Sequence, residues 1–399
     1  MTVAVSYHRD DLPAAPHAGA MLAVEVVDDL ARAEPYWRRL EQSGALGTPY
    51  QRFDLLDAWQ RHVGARSGVT PFIVIGLDHA GEPAFLWPFG RKQMGPLGLV
   101  QFLGSKHANF NVGLWRREVA AAMTAQEVRS VVERIAAAGR GADVLALYRL
   151  PASWNGAGNP FMLLPHQASV DSSARLTLAA AADDVVGTIL SSSMRGRLRT
   201  KERRLERLPG YRYVRAASDA EIDRLLDAFF ALKSTHMAAN GLANVFGEPG
   251  VAEFLREACQ RKLANGLPLI ELHALEGGGE VLALFGTIVD DYRFSSMFNT
   301  YTLGEAGRQS PGLILLTHMI EDCARRGSRS FDIGVGRAHY KSFFCKETEP
   351  LFDVFLPLTA RGRVFAPALS TAFATKRMIK DKPALWAAVQ ALRRFRARR

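Results

Sequence analysis

Residues 304–312 read Gly304-Glu305-Ala306-Gly307-Arg308-Gln309-Ser310-Pro311-Gly312 and join an apolar strand to the start of an apolar helix. Glycines let backbone amides approach an anion, and the positive end of a helix dipole favours negative charge. Pro311 stands at a helical position that needs no N–H group. The segment therefore predicts either an anion-binding loop or an ordinary helix start capped by Ser310, and the sequence leaves both open.

Apolar segments of regular length flank this loop. Upstream, two alternating segments around a triple-glycine turn predict a hairpin, and a third strand follows it. Downstream, helical periodicity up to Arg325, Arg326 and Gly327 predicts a helix with a basic last turn and a glycine stop. The predicted elements are strands at 269–275, 281–289 and 292–298, a helix at 312–326 and a strand at 330–333.

The same order of elements occurs earlier in the chain, with strands at 72–77, 84–89, 99–103 and 143–148 and a helix at 125–138. One unit used twice is the simplest account of this repeat. The predicted fold class is α/β, with α and β elements mixed, in two tandem domains followed by a basic helical tail. The predicted bounds are 1–20 (N-terminal segment), 21–150 (first unit), 151–173 (linker), 174–360 (second unit) and 361–399 (tail).

The second unit is expected to open with further elements before its hairpin. They are a strand at 175–178 and helices at 183–208, 219–239 and 251–263. The first unit lacks the short loop of the second, because about twenty residues, 104–124, stand in its place. We therefore expect a degenerate first unit that supplies walls of an acceptor cleft.

Composition and charge narrow the class of protein. The 399 residues are 48% hydrophobic and 23% charged, which is typical of a folded globular protein. The formal net charge of +10 lies in the tail, since residues 361–399 hold 11 Lys and Arg against one acid, Asp381. A duplex binder usually spreads basic residues over a domain face, so no duplex nucleic acid is expected as a partner.

Cysteines and apolar runs bear on the compartment. Cys259, Cys323 and Cys345 are odd in number and far apart, which favours a reducing cytoplasm and disfavours a thiolate metal site. Residues 1–20 have no apolar run typical of a secretory signal, and no run in the chain is long enough to span a bilayer. We expect a cytoplasmic protein, peripheral at the inner face of the membrane if its tail binds lipid.

The tail has two amphipathic segments on either side of Pro383. Their apolar residues are Phe365, Leu369, Ala372 and Ile379, then Leu385, Val389 and Leu392. A short apolar face beside Lys and Arg suits an anionic bilayer surface. The alternative is that these apolar faces pack on the body of the protein.

Several motifs together resemble the GNAT acetyltransferase superfamily. Residues 309–316 (QSPGLILL), followed by Phe331-Asp332-Ile333-Gly334 and Tyr340-Lys341, are similar to its cellulose-biosynthesis (CelD) type. Shorter matches are Leu232-Lys233, Asn240-Gly241, Tyr50-Gln51-Arg52-Phe53 and Ala58-Trp59, so that the resemblance spans about residues 22–360. The duplicated architecture also resembles the Fem peptidyltransferases.

The resemblance implies roles for the loop and for the segment after the last strand. Arg308, Gln309, Ser310, Pro311 and Gly312 would bind the pyrophosphate of coenzyme A. Tyr340 would be the general acid that protonates the leaving thiolate, and Lys341 would favour negative charge beside it. A half-buried packing role for Tyr340 is the alternative.

The sequence departs from this resemblance at Arg337-Ala338-His339, where an acidic pair is common. His339 could replace a carboxylate as general base because its pKa lies near neutrality, although a solvated loop histidine is the alternative. Asp332, at the strand end, would orient the following loop, or it would simply be a turn residue.

A basic run at 194–204 offers a second candidate site. Arg195, Arg197 and Arg199 would meet an anionic acceptor, and the resemblance adds Lys233 to these substrate-binding residues. The alternative is a solvated helix face with local Glu partners.

The resulting hypothesis is an acyltransferase that uses acetyl-CoA or another acyl-CoA, needs no metal, and acts on a hydroxyl or amine of a saccharide or cell-envelope (exopolysaccharide) precursor. A Fem-like transferase that uses aminoacyl-tRNA is one alternative. A non-catalytic accessory module of a polysaccharide-synthesis complex is the other.

Overall fold

The structure is a computed structural model that describes residues 23–178, 184–336, 338–346 and 348–389. The predicted N-terminal segment 1–20, and the tail residues from 390 onward, lie outside the described residues. The described residues form both helices and strands.

Two lists give the bounds of the described elements. The strands are β1 Ala23–Val27, β2 Val69–Leu77, β3 Pro83–Met94, β4 Leu97–Phe102, β5 Leu114–Trp115, β6 Val144–Pro151, β7 Ser153–Trp154, β8 Ala157–Gly158, β9 Gln167–Ala168, β10 Ser173–Thr177, β11 Arg212–Arg215, β12 Glu271–Gly277, β13 Glu280–Val289, β14 Arg293–Tyr301, β15 Ser330–Val335, β16 Thr348–Glu349 and β17 Leu351–Pro357. The helices are α1 Leu30–Gln42, α2 Phe53–Trp59, α3 Arg117–Ala122, α4 Ala125–Ala137, α5 Val185–Ile189, α6 Ser192–Leu205, α7 Asp219–Ala239, α8 Val251–Gln260, α9 Pro311–Arg325, α10 Lys341–Phe344 and α11 Ala360–Asp381.

Two large sheets carry the repeat. The first has the order β1-β2-β3-β4-β6-β17-β9, with β5 beside β3, and the second has the order β11-β12-β13-β14-β15-β10-β16. In each unit an antiparallel meander ends in a strand that pairs in parallel with the next one, β4 with β6 and β14 with β15. Helices α4 and α9 make the connections that such parallel pairs require. The predicted fold class, a tandem of two mixed α/β units, is confirmed.

One strand crosses from the second unit into the first sheet. β17 lies within the predicted second unit, 174–360, but it pairs with β6 in the first sheet. β10 occupies the matching place beside β15 in the second sheet. Each sheet is therefore completed by a strand that lies far away in the sequence.

Most predicted elements form within a few residues of their expected bounds, and the helix predicted at 183–208 is the main exception. The chain leaves helix α5 at Leu190, and α6 starts after Ser191, whose side chain accepts a hydrogen bond from the Met194 amide (3.3 Å). Ser191 has an extended backbone, with ψ of 152°, which no helix interior allows. A serine N-cap therefore splits one predicted helix into two.

The largest of the three apolar clusters in the described residues joins the units. It includes Trp87 from the first unit and Phe161 from the predicted linker, together with Phe229, Phe254 and Leu272 from the second unit. Because these side chains are buried in one continuous cluster, separating the units would expose a large apolar area to water. The units are thus fixed to one another by the same burial that stabilises each sheet.

Helix α11 tests, for the described part of the tail, the alternative that its apolar residues pack on the body of the protein. Ala366 is 2% exposed, and Phe373 packs against Tyr148 and Phe355 of the first sheet, with ring centroids 5.1 and 5.3 Å apart. Lys380 pairs with Asp171 at 2.9 Å. One face of α11 therefore packs on the body, and it includes only part of the predicted apolar face, since Leu369 joins it whereas Phe365 and Ala372 are exposed. None of the described helices is long and apolar enough to cross a membrane.

Candidate functional site

The parallel strands of the second sheet part from one another. β14 pairs with β15 at Ser295 and Asp332 and then continues alone on that side to Tyr301. At the point of separation Gly334 lies so close that an added Cβ would be 2.8 Å from the Ser296 carbonyl oxygen. We call the space between the diverging strands the wedge. Its β14 edge has backbone polar groups without a strand partner, which a ligand can satisfy.

Two predicted residues fix the turn at the apex of the wedge. The Asp332 carboxylate accepts a hydrogen bond from the Gly334 amide (2.8 Å) and another from the Ser295 hydroxyl. Lys341 Nζ donates to the carbonyl oxygens of Gly334 (2.7 Å) and Val335 (3.3 Å). Gly334 has a φ of +78°, a conformation that glycine adopts without strain. Asp332 thus binds the amide of Gly334, Lys341 binds its carbonyl oxygen, and together they fix the turn.

Burial governs the titration of both residues. It raises the pKa of Asp332 to about 6, although the nearby Arg293 favours the charged form. It lowers the pKa of Lys341 to about 8, while the charge of Asp332 acts in the opposite direction. Each group loses water on burial, and the partial charges around the turn replace only part of that hydration.

Tyr340 and Lys233 meet at the wedge through Asn299, a residue that the sequence analysis missed. Asn299 Nδ2 donates to Tyr340 Oη (3.3 Å), and Lys233 Nζ donates to the Asn299 carbonyl oxygen (2.8 Å). Burial raises the pKa of Tyr340 to about 12 and lowers the pKa of Lys233 to about 8. No distinct signal marked Asn299, because β14 also contains the polar residues Arg293, Ser295, Ser296 and Thr300.

His339 does not join this group. It is exposed, and its ring meets the edge of Phe343 at a centroid distance of 5.0 Å. Its neighbour Arg337 lies outside the described residues.

The glycine loop forms the mouth of the wedge. A 3-10 turn, Glu305–Gln309, leads to Ser310, which adopts a left-handed φ of +57°, and α9 starts at Pro311. Within the described residues the Ser310 side chain makes no capping bond to α9. Instead Lys201 Nζ donates to Ser310 Oγ (2.7 Å) and to the Arg308 carbonyl oxygen (3.1 Å). The first-turn amides of α9 are thus left without the cap expected from an ordinary helix start.

The fold requires one of these loop glycines, Gly307, but not Gly312. A Cβ on Gly307 would lie 2.4 Å from the Thr302 carbonyl oxygen, so the turn requires glycine there. A Cβ on Gly312 would meet Tyr301 at an ordinary 3.7 Å. The fold therefore does not require glycine at position 312. Glycine there leaves the helix start free of a side chain, so that a ligand can approach it.

The basic run lies against this loop through residues other than those predicted. Lys201 and Arg204 face it, with Arg204 Nη1 3.4 Å from Gln309 Oε1. Of the predicted residues, Arg195 pairs with Asp184 at 2.9 Å, while Arg197 and Arg199 are exposed. Since Met194 and Leu198 are buried, the helical period turns positions 201 and 204 toward the loop.

The first unit closes the inner end of the wedge. Asn109 Nδ2 donates to the Ser296 carbonyl oxygen (3.0 Å) and lies 3.2 Å from Tyr50 Oη. Nearby, the fully buried Arg293 makes two hydrogen bonds to Glu349 (2.8 and 3.0 Å) and stacks over Trp154, 4.0 Å from its ring centroid. Asn109 could not have been found from sequence, because it lies in the long segment read as a degenerate replacement loop.

This arrangement suits an extended ligand with an anionic end. A strand rises about 3.3 Å per residue, so the apex at Ser296 and the loop after Thr302 lie about 20 Å apart. The mouth offers helix amides and the side chains of Lys201, Arg204 and Arg308 to phosphate groups. The inner part offers a phenol and an amide.

The wedge and its loop lie inside a segment with a recognised family. Residues 192–342 match the family model of the acetyltransferase (GNAT) domain. This match covers less than half of the chain and shows that the segment is similar to a GNAT acetyltransferase domain. Among curated protein sequences, none matches this chain.

Solved structures share the fold over most of the chain. FemX has a TM-score of 0.55 at 9% identity, covering 84% of this chain and 97% of its own. The C-terminal domain assigned to a lysylphosphatidylglycerol synthetase of Agrobacterium fabrum has a TM-score of 0.53 at 12% identity, covering 87% and 97%. A conserved protein of unknown function from Bacteroides thetaiotaomicron has a TM-score of 0.50 at 10% identity, covering 84% and 100%. Identities this low show a common fold and nothing about substrates.

Proposed function

We propose that this protein transfers an acyl group, acetyl in the first instance, from coenzyme A to a hydroxyl or amine. The observation that carries the proposal is the wedge itself. Its mouth is an uncapped helix start flanked by Lys201, and its interior holds the hydrogen-bonded pair Asn299 and Tyr340. Similarity to a GNAT domain, whose fold typically uses acyl-CoA, supports the same donor.

The loop residues would hold the donor by its phosphates. At the start of α9, Pro311 has no N–H and the Leu313 amide donates to the Ser310 carbonyl oxygen (3.0 Å), so the Gly312 amide would bind a phosphate oxygen. Lys201, Arg204 and Arg308 add positive charge there. Acyl-CoA supplies a thioester whose carbonyl carbon the acceptor attacks, with loss of the carbon–sulfur bond.

Tyr340 would protonate the departing sulfur. Its high pKa keeps the phenol protonated at neutral pH, and the hydrogen bond from Asn299 reaches the phenol oxygen and leaves its proton to donate. A phenol is a weaker acid than a thiol of pKa about 8.5, so this transfer needs stabilisation of the phenolate. Asn299 Nδ2 contributes to that stabilisation, because its hydrogen bond lowers the pKa of the phenol against the burial that raises it. Lys233 Nζ donates to the carbonyl oxygen of the same asparagine.

His339 stays the proposed general base, and because it lies outside the group formed by Tyr340, Asn299 and Lys233, the proton of the attacking group would reach its imidazole through water. That imidazole is exposed and can pass the proton to water. Lys341 and Asp332 would act as positioning residues, since both bind the Gly334 turn.

For the acceptor we propose a saccharide or cell-envelope precursor. The support is the resemblance of residues 309–316 and 331–334 to the cellulose-biosynthesis type of acetyltransferase. The tandem fold, which FemX shares, is also compatible with aminoacyl-tRNA as donor. The titration below distinguishes the two donors.

Thermal-shift titration of the full chain with acetyl-CoA, coenzyme A and aminoacyl-tRNA tests the donor. A raised melting temperature with the two CoA compounds, and none with tRNA, is expected because a bound ligand stabilises the folded state. A response to aminoacyl-tRNA alone would favour the Fem-like transferase. Absence of any response would leave the accessory module as the function.

A further inference from the structure

The first unit has a cavity at the place that corresponds to the wedge. β4 pairs in parallel with β6 at Leu99 with Val144 and at Val100 with Leu145, after which the strands part. A cavity of about 330 Å³ lies beyond that point. Its polar and aromatic lining includes Lys106, Asn111, Tyr148, Arg149, Asp353 and Lys376. We call it the first-unit cavity.

A backbone irregularity marks both sites. In the second sheet the ladder of β10 and β15 places Ile333 and Gly334 opposite Ala174. In the first sheet the ladder of β6 and β17 places Tyr148 and Arg149 opposite Asp353. Gly334 and Arg149 therefore both lie at the irregularity of their ladder, and both have a left-handed φ, +78° and +57°. Bulges of this kind redirect side chains beside functional sites.

Arginine is a costly residue at such a position. Its Cβ crowds the backbone in the left-handed conformation, whereas the glycine used in the second unit does not. Strain of this kind persists where the surroundings enforce it, and it concentrates at sites that bind ligands. Arg149 Nη1 donates to the carbonyl oxygens of Ala108 (2.9 Å) and Lys106 (3.4 Å), which holds the guanidinium at the cavity wall.

Asp353 provides a buried acceptor opposite this cation. It is 2% exposed, and its Oδ1 accepts hydrogen bonds from the Arg149 amide (2.9 Å) and from the Ser169 hydroxyl. Both bonds end on Oδ1, which leaves Oδ2 to accept from a ligand. Lys376 of α11 lies at the cavity wall above the Phe373 ring, so the tail helix supplies a second cation.

One loop borders both the first-unit cavity and the wedge. Lys106 and Asn111 line the cavity, and Asn109 between them donates to Ser296 at the apex of the wedge. Binding in the cavity can therefore affect the wedge through this loop.

We propose that the first-unit cavity binds the head of an anionic saccharide, whose hydroxyl or amine groups donate to Asp353 and whose phosphate or carboxylate is held by Arg149 and Lys376. Its role as acceptor subsite rests on the proposed function, while its role as a binding site does not. The mixed lining of carboxylate and cations fits a sugar with donors and one anionic group better than it fits a bare anion.

Calorimetric titration of the full chain with glucosamine 1-phosphate, glucosamine, inorganic phosphate and glucuronate tests the proposal. Saturable binding of glucosamine 1-phosphate or glucuronate in the millimolar range or tighter is expected, the two compounds separating phosphate from carboxylate as the anionic group. Arg149→Gly and Asp353→Asn should each weaken it about tenfold or more. Arg149→Gly should not lower the melting temperature, because glycine suits a φ of +57°.

Arg140→Gly is the matched control. Arg140 also has a left-handed φ, +42°, but its side chain is 43% exposed in a turn outside the cavity lining. This variant should bind the probe as the wild type does. Wild-type protein that binds neither sugar probe, or that binds inorganic phosphate as tightly as glucosamine 1-phosphate, overturns the proposal. So does undiminished binding by Arg149→Gly.

A parallel titration with acetyl-CoA separates this proposal from the proposed function. Arg149→Gly should bind acetyl-CoA normally. Wild-type protein that binds the sugar phosphate but no acetyl-CoA would contradict the proposed acyltransferase activity. It would still support saccharide binding by the first-unit cavity.

Discussion

At the scale of single residues, the geometry sorts the predicted catalytic residues into two kinds. Tyr340 contacts the side chain of Asn299 inside the wedge, while Asp332 and Lys341 bind backbone groups of the Gly334 turn. The first arrangement can take part in proton transfer, and the second shapes the backbone around it. His339 is exposed and stays a proposed base.

Removing one hydroxyl tests the role of Tyr340. Tyr340→Phe should lower turnover about 100-fold, because general acid catalysis by the phenol would be lost. Its affinity for coenzyme A should change little, since the assigned interaction forms in the transition state. Steady-state kinetics with calorimetry measures both quantities. Full turnover by this variant would reduce Tyr340 to a packing residue.

The buried carboxyl of Asp332 predicts a pH dependence of stability. Burial raises its pKa from 3.8 to about 6, so the folded state favours the neutral form and loses stability as the pH rises through this range. The shift of about two units corresponds to about 3 kcal/mol. Asp332→Asn lacks this titration, so its unfolding free energy relative to wild type should rise by about that amount between pH 4 and pH 7. Urea unfolding at several pH values measures it, and parallel curves would contradict the assignment.

At the scale of elements, helix α6 and the glycine loop form one structure. Lys201 lies two turns along α6 from Met194, which is buried, and its ammonium group bridges Ser310 and Arg308. The basic run therefore serves the mouth of the wedge, whereas the sequence had placed it at the acceptor.

Substitution within α6 tests this placement. Lys201→Met keeps the length of the side chain and removes its charge, and it should weaken acetyl-CoA binding about 10- to 100-fold. Arg195→Met, on the same helix but paired with Asp184, is the control and should bind normally. Calorimetric titration with acetyl-CoA measures the affinity of both variants. Equal losses in the two variants would indicate a general electrostatic effect and no specific contact.

Helix α11 still offers an outward face after its inner face has packed. Val364 and Met378 are 70% and 52% exposed, and Leu385, beyond Pro383, is 46% exposed. Lys and Arg lie among them, so contact with an anionic bilayer remains our proposal for the tail, worth about 1 kcal/mol per basic residue near the surface.

Vesicle flotation at low and high salt tests the tail. The full chain should float with phosphatidylglycerol vesicles at low salt and less at high salt, since salt screens the attraction. Removal of residues 383–399 should reduce binding, because it deletes Leu385 and the terminal arginines. Neutral vesicles are the control. Binding that survives the truncation, or its absence in the intact protein, contradicts the proposal.

At the scale of the whole molecule, duplication has produced two different sites. The second unit keeps the short loop and the bare helix start, while the first unit has a long segment, residues 104–124, whose Asn109 reaches into the second. The crossing of β17 into the first sheet and a common core make the two units one folded body.

This asymmetry predicts one coenzyme A site per chain. Calorimetry with acetyl-CoA should give a stoichiometry of one, and Gly312→Asp should abolish binding because a carboxylate would face the phosphates. The fold should survive, since a Cβ at Gly312 meets only ordinary contacts. Circular dichroism checks the fold of the variant. Two equivalent sites, or normal binding by Gly312→Asp, would contradict the assignment to the second unit.

The sequence by itself determined the repeated order of strands and helices, the glycine loop and the start of α9 at Pro311. These features depend on local periodicity and on residues such as proline and glycine, whose conformational limits act within a few positions. The bounds of the predicted hairpins and of α9 consequently agree with the structure to within a few residues.

Only the tertiary structure decided which residues meet at the sites. The contacts of Asn109 with Ser296, of Lys201 with Ser310 and of Arg149 with Asp353 join positions about 100 to 200 residues apart. No local pattern encodes such a pair, because the partners are brought together by sheet order and by burial of a common core. The crossing of β17 into the first sheet has the same cause, since its nearly continuous apolar residues would suit the interior of either sheet and packing selects the place between β6 and β9.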